Sequence, residues 1–125
     1  MAAVVPIYAP HDLEFHAKAR NALGPSLSAL FGLTELNDLA VKQLRAASAT
    51  TYLRMGLPPF LLMHGTKDAQ MDYVQSVKFQ EQMRALGNSC DFITIPDGAH
   101  GMGGWDKLVP DYADQLVAWL RKTLN

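Results

Sequence analysis

The sequence predicts an open α/β fold, a parallel sheet of three strands with helices on both faces. Three apolar, strand-like runs predict it: residues 3–8, 60–64 and 91–95, each broken by Pro or Gly and lying side by side in that order. The stretches between them carry helical spacing, the alternation that produces right-handed βαβ crossovers. The second and third runs each deliver one ionisable residue just past their ends, Asp68 and His100. Parallel neighbours joined by one helix bring both residues to the same sheet edge, where open α/β folds place their chemistry.

Each element has a local reason. Ala3 to Tyr8 is a continuous apolar run rich in β-branched residues and ended by Ala9-Pro10, which fits a strand of a parallel sheet lying at an exposed edge. Leu13 to Arg20 reads as a short helix, and Gly24-Pro25 breaks the chain before a second short piece from Ser26 to Phe31. Thr34 is a candidate cap for a helix that runs to about Ala47, in which Leu36, Leu39, Ala40, Leu44 and Ala47 recur on one face. Leu57-Pro58-Pro59 leads into the second strand, because prolines at a strand entrance remove nothing from a central ladder. Asp72 is placed to cap the crossover helix, whose apolar side is Val74, Val77, Phe79, Met83 and Leu86 and whose end is marked by Gly87-Asn88. The last helix begins near Pro110 and turns Tyr112, Leu116, Trp119 and Leu120 inward. Asp111 and Asp114 come early in it and Arg121 and Lys122 late, as the helix dipole prefers.

Composition narrows the classes of function. At 125 residues the chain is expected to be one domain, residues 1–125. Lys and Arg number 11 against 12 for Asp and Glu, and the basic residues are scattered, so no electrostatic footprint for nucleic acid or an anionic membrane is present. The single cysteine, Cys90, excludes an internal disulfide and sits beside an apolar strand as a small core hydrophobe. No apolar run approaches the ~20 residues of a membrane span, and the start lacks the basic region of a signal peptide. A soluble chain without cofactor is the expectation.

Asp68 and His100 are two thirds of a Ser-His-Asp triad, with Asp68 accepting the Nδ1 proton and His100 turning Nε2 toward a serine. Glycines on both sides of Ala99-His100 permit a tight loop that projects the imidazole. No Gly-x-Ser-x-Gly elbow and no Gly-rich oxyanion loop occurs in the sequence. Ser26 and Ser76 do not lie at strand-to-helix elbows, so neither is an activated nucleophile. His64 is expected to be structural, and His11 and His16, without acidic or cysteine partners at ligand spacing, to be surface or cap-region residues. Trp105 either walls a substrate pocket or packs against the final helix. A metal site from His64, Asp68 and His100 is disfavoured, because His64 and Asp68 would need a helix to share a face.

His64-Gly65-Thr66-Lys67-Asp68, Gln75-Ser76 and Gly98-Ala99-His100-Gly101-Met102 resemble the C-terminal half of an α/β-hydrolase esterase, in the branch near the feruloyl and acetyl-xylan esterases and the prolyl-oligopeptidase-like enzymes. The resemblance covers almost the whole chain, and Val4 to Leu13 looks like the strand and loop that follow the nucleophile helix. One departure is Met71-Asp72, where the family usually has Val-Pro. The resemblance implies that Asp68 is the triad acid, that His100 is the base, and that the serine lies before Met1, in the chain order Ser, Asp, His. It implies short-acyl ester substrates and pairing of strand 3–8 with the missing N-terminal half or a second copy. Two other readings are a non-catalytic half-sheet module that self-associates through its open edge, and a serine peptidase of the same fold.

Overall fold

Two parallel strands, β1 (Phe60–Gly65) and β2 (Cys90–Ile95), organise the larger part of the computed structural model, which describes residues 2–125. Their register sets Phe60 opposite Cys90 and Gly65 opposite Ile95. The chain packs as two compact units: Pro10–Tyr52, and Leu53–Asn125 together with the N-terminal segment that ends at Ala9.

In the larger unit the strands' period of two separates two cores. Phe60, Leu62, Cys90 and Phe92 face Phe79 and Met83 of the crossover helix, Tyr73–Ala85. Leu61, Met63, Ile93 and Ile95 face the opposite way, against Trp105 and the inner side of the last helix, Tyr112–Leu124, through Tyr112, Leu116 and Trp119. Helices therefore cover both faces, and both strands are predominantly apolar, with Asp91 the exposed exception near the start of β2. Asp72 occupies the N-cap position of the crossover helix, but its side chain makes no capping bond; its carbonyl accepts from the Gln75 amide at 2.9 Å. A single-turn helix at Trp105–Leu108 goes beyond what the sequence suggests.

The expected third strand is a correction. Residues 4–7 lie beside β1, but only as two isolated parallel bridges, Val4 to Phe60 and Ile7 to Met63, so the sheet proper has two strands. The four bonds present run from Val4 N to Pro59 O (3.0 Å), Leu61 N to Val4 O (2.9 Å), Met63 N to Pro6 O (3.0 Å) and Tyr8 N to Met63 O (2.8 Å). The rung that a continuous parallel ladder would place between them is a donation from residue 6 to Leu61 O, and proline has no N–H to give. Phe60 bridges Val4 and pairs with Cys90, so the segment runs along the edge of β1 away from β2.

The second unit contains α1 (Leu13–Arg20), α2 (Gly24–Phe31) and α3 (Asp38–Ala47), followed by a 3-10 turn at Ala49–Tyr52. With these numbered, the crossover helix is α4, the Trp105 helix α5 and the last helix α6. Asp12 caps α1 by accepting from Phe15 N, and Asn37, not Thr34, caps α3 by accepting from Ala40 N. Ala17, Leu23, Leu27, Ala40 and Leu44 form this unit's core. Glu14 on α1 accepts from Arg45 on α3 at 2.6 and 2.9 Å and from Lys18 at 2.6 Å. His11, expected at the surface or in a cap region, is buried immediately before the α1 cap Asp12, and its carbonyl accepts from Thr50 N. Among the described residues no helix is long and apolar enough to cross a membrane.

Candidate active site

The turns that follow β1 and β2 are locked to each other through backbone. Thr66 N donates to Ile95 O at 3.0 Å, Lys67 N to Gly98 O at 2.9 Å, and Asp97 N to Thr66 Oγ1 at 2.8 Å. The approach is so close that a Cβ on Gly65 would lie 2.1 Å from Gly98 O, and one on Gly98 would lie 2.8 Å from Ile95 Cγ2. Only glycine admits such contact. Gly98 therefore serves close packing, while Gly101, at φ +86°, supplies the left-handed residue that the histidine loop needs.

This lock sets Asp68 beside His100. Asp68 Oδ1 accepts from the amides of Gln70 (2.9 Å) and Met71 (2.7 Å), an aspartate-centred turn that fixes the carboxylate to its own backbone. Oδ2 lies 2.8 Å from His100 Nδ1 and 3.2 Å from His64 Nε2. The Asp68 side chain is fully buried, whereas that of His100 keeps 28% of its surface in solvent. Burial alone would raise the Asp68 pKa, but the Met71 amide, His100 and the Gln70 amide together outweigh it and hold the carboxyl below its ordinary value. An ionised carboxylate only accepts, so neutral His100 carries its hydrogen on Nδ1 and keeps a lone pair on Nε2.

Aromatic side chains hold the histidine loop. The Tyr8 ring lies 4.5 Å from the His100 ring, and Trp105 meets Tyr8 edge-on at 5.9 Å. Trp105 itself is 1% exposed, and its indole N–H donates to the carbonyl of Ala99 at 3.2 Å. Its place is thus in the core beneath the loop, between Tyr8 and Tyr112, instead of on an open wall. Tyr8 has φ +39°, a left-handed conformation rare outside glycine, at the point where the edge segment leaves β1.

His64 goes beyond its expected structural role. It meets Asp68 through the short turn after β1 and not through a helix, the geometry that the sequence argument took to be required. Its Nδ1 lies 2.7 Å from Ser76 Oγ on α4, and its Nε2 lies 3.0 Å from the Met71 carbonyl. The i,i+4 spacing to Asp68 and the neighbouring Gln75-Ser76 were visible in the sequence, but nothing local says that a four-residue turn will fold a histidine back onto the acid. Ser76 is buried and directed at His64, and Cys90 is a core thiol whose pKa burial pushes up to about 11. Among the described residues no group of three or more His, Cys, Asp or Glu is arranged to hold a metal ion.

Chemically, a buried carboxylate bonded to a partly exposed imidazole is an arrangement that can accept a proton from a hydroxyl brought to Nε2. The fold has known counterparts. The chain is 28% identical over 100 residues to Esterase LipC of Mycobacterium tuberculosis, an alignment that covers 79% of this chain and 25% of that protein. It superimposes with a TM-score of 0.78 on a bifunctional GH43-CE protein of Bacteroides eggerthii (24% identity; 100% of this chain, 17% of the other). It likewise matches an acetyl ester-xyloside bifunctional hydrolase from Caldicellulosiruptor lactoaceticus (TM-score 0.74, 21% identity; 97% and 42%). The chain thus spans less than half the length of each of these proteins. The model of the prolyl oligopeptidase family matches residues 3–125. With essentially its whole length matched by that model, the chain belongs to the prolyl oligopeptidase family.

Proposed function

We propose that this chain is the C-terminal portion of a serine carboxylic-ester hydrolase and supplies the acid and the base of its triad. His100 Nε2 takes the proton of a serine hydroxyl, carried by sequence outside these 125 residues, as the serine oxygen bonds to the acyl carbon. The imidazolium returns that proton to the departing alcohol, and the same cycle with water releases the acid. Asp68 keeps Nδ1 protonated and stabilises the imidazolium. Trp105 supports the loop through Ala99. The observation that carries this reading is the 2.8 Å bond from His100 Nδ1 to a fully buried carboxylate, with the imidazole itself half open to solvent. Short-acyl esters, on sugars in some cases, are the substrate class, by likeness to an esterase and an acetyl ester-xyloside hydrolase. The edge segment at residues 4–7 pairs, in this reading, with the serine-bearing part.

The test is hydrolysis of p-nitrophenyl acetate. The isolated chain should stay at background, because loss of the serine alone removes a factor on the order of 10⁶ in kcat. A chain extended with its serine-bearing part should turn over. In it, His100→Ala should cost on the order of 10⁶ and Asp68→Ala on the order of 10⁴ in kcat. An extended enzyme that cleaves prolyl peptides and leaves esters untouched would transfer the same residues to a peptidase. Full activity in Asp68→Ala would remove the triad assignment.

A further inference from the structure

The buried imidazole beneath the acid has no part in the chemistry above, yet it forms the inner end of a continuous hydrogen-bonded chain. From α4 outward the links are Ser76 Oγ to His64 Nδ1 (2.7 Å), His64 Nε2 to Asp68 Oδ2 (3.2 Å), and Asp68 Oδ2 to His100 Nδ1 (2.8 Å). The last two links converge on one oxygen. We infer that His64 is a positioning residue for the acid–base pair, a neutral Nε2–H donor, braced by Ser76, that pins Asp68 Oδ2 in the orientation His100 uses. This inference rests on the reading of Asp68 and His100 as acid and base.

The assignment of hydrogens follows from the partners. Nε2 faces two groups that only accept, the Asp68 carboxylate and the Met71 carbonyl at 3.0 Å, so Nε2 carries the hydrogen. Nδ1 is then bare, and the Ser76 hydroxyl donates to it. Burial lowers the pKa of His64, and although the Met71 carbonyl and Asp68 pull the other way, the net direction keeps the ring neutral. The groups that meet the ring are Asp68 and the Met71 carbonyl from the turn, Ser76 and Tyr73 from α4, the Tyr73 ring standing edge-on at 5.7 Å, and His100 through Asp68. None supplies a second negative charge that would favour an imidazolium.

The two amides on Oδ1 fix one edge of the carboxylate and leave it free to rock about that edge; a second point of attachment on Oδ2 fixes its plane. His100 lies on a loop between Gly98 and Gly101 and depends on the acid for its own orientation. A pivoting acid therefore means a wandering base. With His64 in place, all four acceptor sites of the buried carboxylate are filled by donors.

The experiment is imidazole ¹⁵N–¹H correlation spectroscopy on the 125-residue chain itself, at a pH where both histidines are neutral, with His64→Leu and His64→Gln. Gln offers an amide N–H near the place of Nε2, and Leu does not. The expected result is a pure Nδ1–H form of His100 in the parent and in His64→Gln, and loss of that bias in His64→Leu, with amide spectra of β1 and β2 unchanged. A parent chain without an Nδ1–H signal on His100 overturns the acid–base reading itself. A parent signal that survives in folded His64→Leu, or is lost equally in folded His64→Gln, overturns the role of His64 and leaves the pair standing. Should His64→Leu fail to fold, Ser76→Ala decides. There the ring loses its brace, the Nδ1–H population of His100 should fall, and an unchanged His100 spectrum overturns the inference.

Discussion

At the scale of single residues, two titrations both lower the stability of this chain toward acid, each beginning at its own pH. His64 is buried and its pKa is held below the ordinary 6.5, so as pH falls below that value the unfolded chain takes up a proton that the folded chain refuses. Stability contributed by the neutral ring is thus present at high pH and is lost from about pH 6.5 downward. Asp68 has its carboxyl held below the ordinary 3.8, so its contribution persists above that value and disappears only as pH falls through the lower folded pKa. The two losses begin at different pH values, the first near 6.5 and the second below 3.8. Urea unfolding between about pH 4.5 and pH 7.5 should therefore show stability falling toward acid in the parent, with a shallower fall in His64→Gln, which has no ring to titrate. Equal slopes in both proteins would mean that His64 is solvated and free to ionise. The sequence singled out Asp68 and His100, which the structure joins by a hydrogen bond, because both lie in loops just past strands, where periodicity ends. It did not disclose His64, which reads as one more strand residue until the turn after Gly65 is built. It left Trp105 open between wall and core, since an indole suits either until its neighbours are known.

At the scale of elements, the edge segment shows how one atom decides an assignment. Residues 3–8 have the composition of a strand, keep one register against β1, and make every rung of the ladder except the one that needs an N–H on Pro6. That rule was legible in the sequence, because proline is confined to strand edges and interruptions, yet the apolar pattern around it carried the reading instead. Pro6→Ala should restore the donation to Leu61 O and join the two bridges into a continuous strand. The gain of about 0.5–1.5 kcal/mol from one hydrogen bond is set against about 0.4–1 kcal/mol for the looser unfolded chain. Net stability should therefore change little, and the informative measurement is hydrogen exchange. A residue-6 amide protected as strongly as those of β1 is expected, whereas rapid exchange there would show that the segment is held away from β1 by something other than proline. Helices were easier to place, since α1 matches its expected span and α3 keeps its end at Ala47. The start of α3 was misplaced because Thr34 and Asn37 are both competent caps, and only the structure shows that Asn37 accepts from Ala40 N.

At the scale of the whole molecule, the proposed function makes the outer edge of residues 4–7 the place where the chain pairs. Bonds to β1 use Val4, Pro6 and Tyr8, and the alternation of a parallel ladder turns the N–H and C=O groups of Val5 and Ile7 the other way. Both side chains pack into the core beneath β1 and β2, so the segment is ordered and apolar, a template for another strand. In the reading proposed here its occupant is a strand of the serine-bearing part, and a second copy of the chain is the substitute when that part is absent. Sedimentation of the isolated chain should then show association that rises with concentration, accompanied by growing exchange protection at the Val5 and Ile7 amides. Adding the serine-bearing part should dissolve those oligomers and keep the protection, because the same edge is filled by its proper strand. A chain that stays monomeric at high concentration, with Val5 and Ile7 exchanging freely before and after the addition, would mean that the edge recruits neither. In the proposed enzyme, Asp68 and His100 would then have to meet the serine across some other surface.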